Sequence, residues 1–488
     1  MIILLVVIPA GAGVVAFFVA SDRLRRMLLL CAAVTQTALM LTTWLVTPAP
    51  AFGGWLAEDA LGRLIGTVAS VLFLAVSFYA VAYLGEERNQ PHSDFDEGFL
   101  FSNAREASFT GCLLLFLAAM TLVSVSQQFA LLWVAVEATT LASAPLIYFH
   151  RHHRSLEATW KYLLICSVGI ALALLGIFFL SIAAANPDGS SIPLVAPELR
   201  ANARHLSGPW LKAAFILLLV GYGTKMGLAP FHTWLPDAHS EAPSVASALL
   251  SGALLNCAFL GILRAQEICV AGGLADFSDH LLLGFGLLSM AVAAVFISGQ
   301  TDYKRMLAYS SVEHMGILAV GVGLGGAAVF GALLHVINHS LTKAMLFLVA
   351  GNLLAVFRSK SASGVTGALS VAPASGALWL LGFFAITGSP PFGPFVSEFT
   401  ILKAALEQGQ TFVAVAYLAI LAVVMAAMAA PMFAMAQGNP APDVAAAPGR
   451  SVALTAVPAM LGISILVMGV YVPPILARAL REAARLLG

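Results

Sequence analysis

"GTKMGLAPFHTWLPDAHSEAP", residues 223–243, places Lys225, Pro230 and a cluster of His, Asp and Glu between two apolar runs. The surrounding chain decides how that interruption is read. Its 488 residues are 60% hydrophobic and only 10% charged. A soluble domain carries about 25% charged residues, so this much apolar surface cannot be hidden in one aqueous core. Apolar runs of bilayer-crossing length recur from end to end. Helices satisfy their own backbone hydrogen bonds in lipid, and the short alternating segments of a membrane barrel are absent. The expected fold is an all-α polytopic membrane protein.

The apolar runs predict about fourteen spans, near residues 2–20, 27–47, 61–84, 107–126, 128–149, 160–185, 210–230, 244–268, 280–299, 306–324, 327–357, 373–405, 411–435 and 451–472. Basic clusters at 21–26, 150–154, 302–305 and 358–360 all fall on one side if the N-terminus is external, and that side is then cytoplasmic. No charge precedes the first apolar run, so a cleaved leader is not expected. The tail 475–488 reads as a basic amphipathic helix anchored at the interface. The five cysteines are scattered on or beside apolar spans without metal or cluster spacing. No phosphate-binding glycine loop is present either. No cofactor, redox centre or nucleic-acid partner is expected in this chain.

A charge at the bilayer centre costs about 2.5–3.5 kcal/mol on insertion scales, so the few exceptions are informative. Glu137 lies mid-span in "LLWVAVEATTLASAPLI", and Lys225 lies five residues before Pro230. His335, His339 and Lys343 follow one another at spacings of four, which sets them on one helical face over about 12 Å. Glu398 follows "GSPPFGPFVSEF", and Glu313 with His314 sits in the tenth span. Lys161, four residues after Glu157, also fits an ordinary ion pair at a helix entrance.

Pro230 breaks one span beside Lys225, and Pro390 and Pro391 break another beside Glu398. Paired broken helices in the two halves of a membrane chain point to inverted repeats with an ion site at mid-depth. The division expected is a three-helix segment 1–106, repeats 107–268 and 269–436, and a C-terminal unit 437–488. Burial penalises the charged form of each group, so a buried series of this kind can exchange protons if water fills its gaps. A Glu137–Lys225 pair that is made and broken would switch the lysine between holding and releasing its proton.

"KMGLAPFHTWLPDAHSEAPSVASALLSG", "DYKRMLAYSSVEHMG" and "GALLHVINHSLTKAMLFL" resemble the antiporter-like, proton-pumping subunits of respiratory complex I, Mrp Na⁺/H⁺ antiporters and membrane-bound hydrogenases. Within that family, 157–176 and 388–402 look most like component F of hydrogenase-4 and formate hydrogenlyase. The resemblance implies a bacterial or archaeal cell membrane. It implies partner membrane subunits, with peripheral NiFe-hydrogenase-like and iron–sulfur subunits carrying the redox chemistry. It implies a proton path through Glu137, Lys161, Lys225, His335, His339, Lys343 and Glu398, supported by His314 and the prolines. Many relatives hold a lysine or histidine where this chain has Asn256, which cannot carry a proton, so water is expected there. The alternatives are an Mrp-type Na⁺/H⁺ antiporter subunit and a scaffold that transports nothing.

Overall fold

The computed structural model describes residues 1–87, 98, 100–185, 189–440 and 451–488. Residues 88–97 and 441–450, inside the expected N-terminal segment and C-terminal unit, lie outside this description. The first half of the chain forms α1 (Ile2–Phe18), α2 (Asp22–Thr42), α3 (Ala60–Glu87), α4 (Glu106–Val125), α5 (Phe129–Ile147), α6 (His153–Ala183), α7 (Ala196–Ala201), α8 (Gly208–Met226), α9 (Trp234–Glu241), α10 (Ser244–Leu249) and α11 (Leu255–Ala271). The second half forms α12 (Ala275–Ile297), α13 (Tyr303–Leu324), α14 (Ala327–Phe357), α15 (Ala368–Val371), α16 (Pro373–Ile386), α17 (Gly393–Glu407), α18 (Thr411–Ala436), α19 (Ala453–Val470) and α20 (Pro474–Ala484). Among the described residues, eleven helices are long and apolar enough to cross a membrane. The shorter α1 and two crossings built from helix pairs, α8 with α9 and α16 with α17, bring the total to the fourteen expected.

Both breaks have local causes. Helix α8 ends because Gly227 takes a left-handed φ of 88°, a conformation suited to glycine at a helix C-cap. Pro230 then has no amide to continue the ladder. Helix α16 ends before Gly388, φ 62°, and the chain restarts at α17, whose first turn holds Pro394. A third irregularity had no proline to announce it: Leu250–Leu254 form a π turn joining α10 to α11 within one continuous crossing.

Small residues let the helices approach closely. A Cβ added to Gly286 on α12 or Gly316 on α13 would lie 2.8 or 2.6 Å from the other's carbonyl oxygen. At one end of the bundle the strands β1 (Ser102–Asn103) and β2 (His150–Arg151) pair antiparallel. Arg26 reaches Glu106 at 2.7 Å, His152 lies 3.6 Å from Glu241, and Lys360 lies 2.8 Å from the same carboxylate. Asp302 bridges to Ser361. The four basic clusters therefore share one end, as their spacing predicts.

At the opposite end buried Arg264 reaches Asp59 at 2.8 Å and Gln127 at 2.6 Å. Helix α20 is amphipathic, with exposed Arg478, Arg481 and Arg485. Its apolar residues Leu480 and Ala483 are buried, and it packs on α3 and α14. Helix α20 thus turns Leu480 and Ala483 to protein and leaves Ile475 exposed.

Candidate functional site

Lys225 sits in the last turn of α8, fully buried. Its Nζ donates to Thr140 Oγ1 at 2.9 Å and to Tyr162 OH at 2.5 Å, and lies 4.4 Å from the Tyr162 ring centroid. Tyr162 OH also meets Ser143 Oγ at 2.6 Å. Thr140 in turn donates to Glu137 Oε2 at 3.1 Å. The direct Glu137–Lys225 ion pair expected from sequence is therefore replaced by a hydroxyl bridge. Helix geometry explains this: Thr140 follows Glu137 by three residues on the same face of α5 and stands nearer α8. Glu137 itself is only partly buried and accepts from Ser167 Oγ at 3.1 Å on α6.

Lys161 lies elsewhere. Its side chain is 46% exposed and pairs with Glu157 at 2.7 Å and Asp237 at 2.9 Å. The ordinary i,i+4 reading is seen, extended by a partner 76 residues away. Lys161 is therefore not part of the buried array in this chain. It belongs to a charged cluster at the basic end, where Arg305 also reaches Asp237 at 2.9 Å.

The histidine stripe is fully buried on α14. His335 meets His314 of α13, Nε2 to Nδ1 at 2.8 Å, and Ser397 of α17 through Nδ1 at 2.9 Å. His314 is buried, and its Nδ1 lies 4.0 Å from Glu398 Oε1. The His339 ring centroid lies 5.3 Å from that of His314, and neither of its ring nitrogens has a hydrogen-bond partner among the described residues. Lys343 donates to Leu307 O at 2.6 Å and to Ser310 Oγ. Its electrostatic neighbour Glu313 is also buried.

Between the two halves stand Asn256 and His239. Asn256 Nδ2 donates to Ser340 Oγ at 2.8 Å, linking α11 to the stretch of α14 between His339 and Lys343. The neighbouring Cys257 lies in the field of Lys225. Asn256 Oδ1 is buried with no hydrogen-bond partner among the described residues, a position that suits an ordered water. His239, at the inner end of α9, is fully buried and stacks on Phe347 at 4.8 Å. It lies near Lys343 and Lys304, and among the described residues neither of its ring nitrogens has a hydrogen-bond partner. Lys304, also buried, donates to the carbonyls of Ser240 and Ala242 at 3.0 and 2.6 Å, so it caps the end of α9.

Sequence reasoning did not single out Thr140, Tyr162, His239, Lys304 or Ser397 as site residues. Hydroxyls leave no mark on hydropathy, and only the i,i+3 spacing of Thr140 from Glu137 carried a signal. Pro230 and Pro390/Pro391 do sit at the breaks beside the two ends of the array. Among the described residues, the chemistry present is that of buried acids, bases and hydroxyls with vacant hydrogen-bonding capacity. Such a set can hold waters and move protons.

The family model described as "NADH:quinone oxidoreductase/Mrp antiporter, TM" matches residues 126–429. A "Hydrogenase-4 component F homolog" of Methylacidiphilum infernorum is 38% identical over 360 residues, covering 73% of this chain and 75% of that protein. In fold, the chain resembles one from an archaeal membrane-bound sulfane sulfur reductase, with TM-score 0.87, 20% identity, and 100% and 97% coverage of the two chains. It also resembles one from the Mrp complex of Dietzia, with TM-score 0.85, 19% identity, and the same coverage.

Proposed function

The chain belongs to the NADH:quinone oxidoreductase/Mrp antiporter membrane family, and from that premise we propose that it is the proton-translocating membrane subunit of a multisubunit, respiratory-type complex. The observation that carries this reading is the buried series of titratable groups across the bundle. It starts at the partly buried Glu137, passes Lys225 and the Asn256–Ser340 link, and continues through His239, Lys343 and the histidines to Glu398. A static array of this size would rarely repay its desolvation, whereas a relay uses groups that can change protonation.

In this reading Thr140 passes the state of Glu137 to Lys225, and water bridges Asn256. The five-span units 107–268 and 269–436 act as inverted repeats, each broken beside its own carrier. Lys161 serves the charged entrance at the basic end, which faces the cytoplasm with the N-terminus external. The similarity to a hydrogenase-4 component F homolog supports a bacterial or archaeal cell membrane. It also supports hydrogenase-like and iron–sulfur partners that supply the electron transfer.

The test is proton uptake by the native complex in liposomes. Lys225→Ala and Glu137→Gln are each expected to abolish uptake while the complex still assembles. Normal uptake in both variants would end the proposal. The likeness to an Mrp chain over its whole length favours one second reading, Na⁺/H⁺ exchange through the same groups without a redox partner. In that case uptake requires Na⁺ and persists when the redox substrate is withheld. A scaffold reading predicts that neutral substitutions along the array change thermal stability and leave flux unaltered.

A further inference from the structure

His314, His335 and Glu398 come from three different helices, yet one ligand atom from each lies within 4.8 Å of the others. All three are buried. Among the described residues Glu398 Oε1 has no hydrogen-bond partner, while His314 is also drawn to the backbone carbonyl of Ile386. The surrounding hydrogen bonds fix how the histidines present themselves. Ser397 Oγ donates to Pro394 O at 2.9 Å and accepts from Asn338 Nδ2 at 3.2 Å. With the Ser397 hydroxyl turned to Pro394 O, it accepts from His335 Nδ1–H. In that arrangement, assigned from the hydrogen-bond network, His335 Nε2 turns a lone pair toward His314 and Glu398. A ring nitrogen pinned by an outer hydrogen bond, with the other left bare, is how metal-binding histidines are held.

We propose that His314 Nδ1, His335 Nε2 and Glu398 Oε1 form a binding site for Zn²⁺, completed by water, and that the bound ion arrests proton passage at this point. Two imidazoles and one carboxylate with an open fourth position suit zinc, whereas Na⁺ favours an all-oxygen shell. Tetrahedral zinc with ligands at about 2.0–2.1 Å needs donor atoms roughly 3.3–3.4 Å apart. The His314–His335 and His314–Glu398 separations of 2.8 and 4.0 Å straddle that value and the third lies within 4.8 Å, so closing the shell asks for side-chain shifts of about an ångström. The ion takes the place of the single proton shared between His314 and His335, and that proton moves to His314 Nε2, where the Ile386 carbonyl can accept it. The break before α17 borders the site: Pro390 and Pro391 are exposed there, and a Cβ on Gly388 would touch the Glu398 carboxylate.

The arrest of transport rests on the relay reading above; the binding does not. The tag-free chain in detergent, titrated with ZnCl₂ against a chromogenic chelator, is expected to take up one ion. X-ray absorption should show two imidazole nitrogens and a carboxylate oxygen. His314→Gln and Glu398→Gln should each weaken binding at least tenfold, while His205→Gln and His280→Gln, at exposed positions, leave it unchanged. Binding that survives both site substitutions, or a spectrum without imidazole, means an adventitious ion only and overturns the site. In liposomes carrying the native complex, Zn²⁺ is expected to stop proton uptake. Full uptake with the ion demonstrably bound to this ligand set would keep the metal site and sink its role in arrest.

Discussion

Thr140 occupies a position where one hydroxyl does two things at once. It accepts from Lys225 Nζ and donates to Glu137 Oε2, so a change in the charge of either partner alters the hydrogen bond to the other. Hydrogen bonds to charged groups are stronger than neutral ones, and chains of them polarise one another. Thr140→Val keeps the shape and removes both bonds. We expect it to lower proton uptake by roughly a hundredfold, the low end of what a positioned proton-transfer group contributes. Thr140→Ser should retain most of the rate. Uptake in liposomes with the complex intact is the measurement, and a Val variant at full speed would show that the hydroxyl is not the link.

At the scale of elements, the breaks aim the carriers. Gly388 holds φ 62° directly over Glu398, and Gly409 holds φ 72° with open space where a side chain would go. Gly409→Ala therefore reports backbone strain alone, about 1–2 kcal/mol. Gly388→Ala adds a collision with the carboxylate. Thermal unfolding in detergent should show the Gly388 variant as the less stable of the two. Proton uptake should fall in that variant and persist in Gly409→Ala. These breaks were legible in the sequence because proline cannot donate its amide and because each one stands beside a charge. The i,i+4 spacing likewise set His335, His339 and Lys343 on one face, and they share it. The π turn at Leu250–Leu254 was not legible, since no residue type enforces it. Nor was the hydroxyl bridge between Glu137 and Lys225, which depends on how far α5 stands from α8. The Asp237 partner of Lys161 is set by tertiary packing across 76 residues, beyond any local pattern.

At the scale of the whole molecule, the two ends of the bundle are built differently. The basic end carries many partly exposed ion pairs, and pairs of that kind contribute about 0–1 kcal/mol each. The opposite end concentrates its polar closure on Arg264, which is fully buried, 205 residues from Asp59 and 137 from Gln127. It also points at the carbonyl of Ser124 at 3.4 Å. One guanidinium thus joins α11 to the segment before α3 and the link between α4 and α5. Removing one member of a buried pair costs about 3–5 kcal/mol, an upper bound here because the Asp59 side chain is 21% exposed, whereas replacing both with apolar groups is often neutral. Arg264→Met should therefore lower the unfolding temperature strongly, and adding Asp59→Leu should recover much of the loss. If the double variant is no more stable than the single one, Arg264 holds this end through Gln127 and the Ser124 carbonyl instead. The closure would then be a neutral hydrogen-bond anchor, with the ion pair incidental to it.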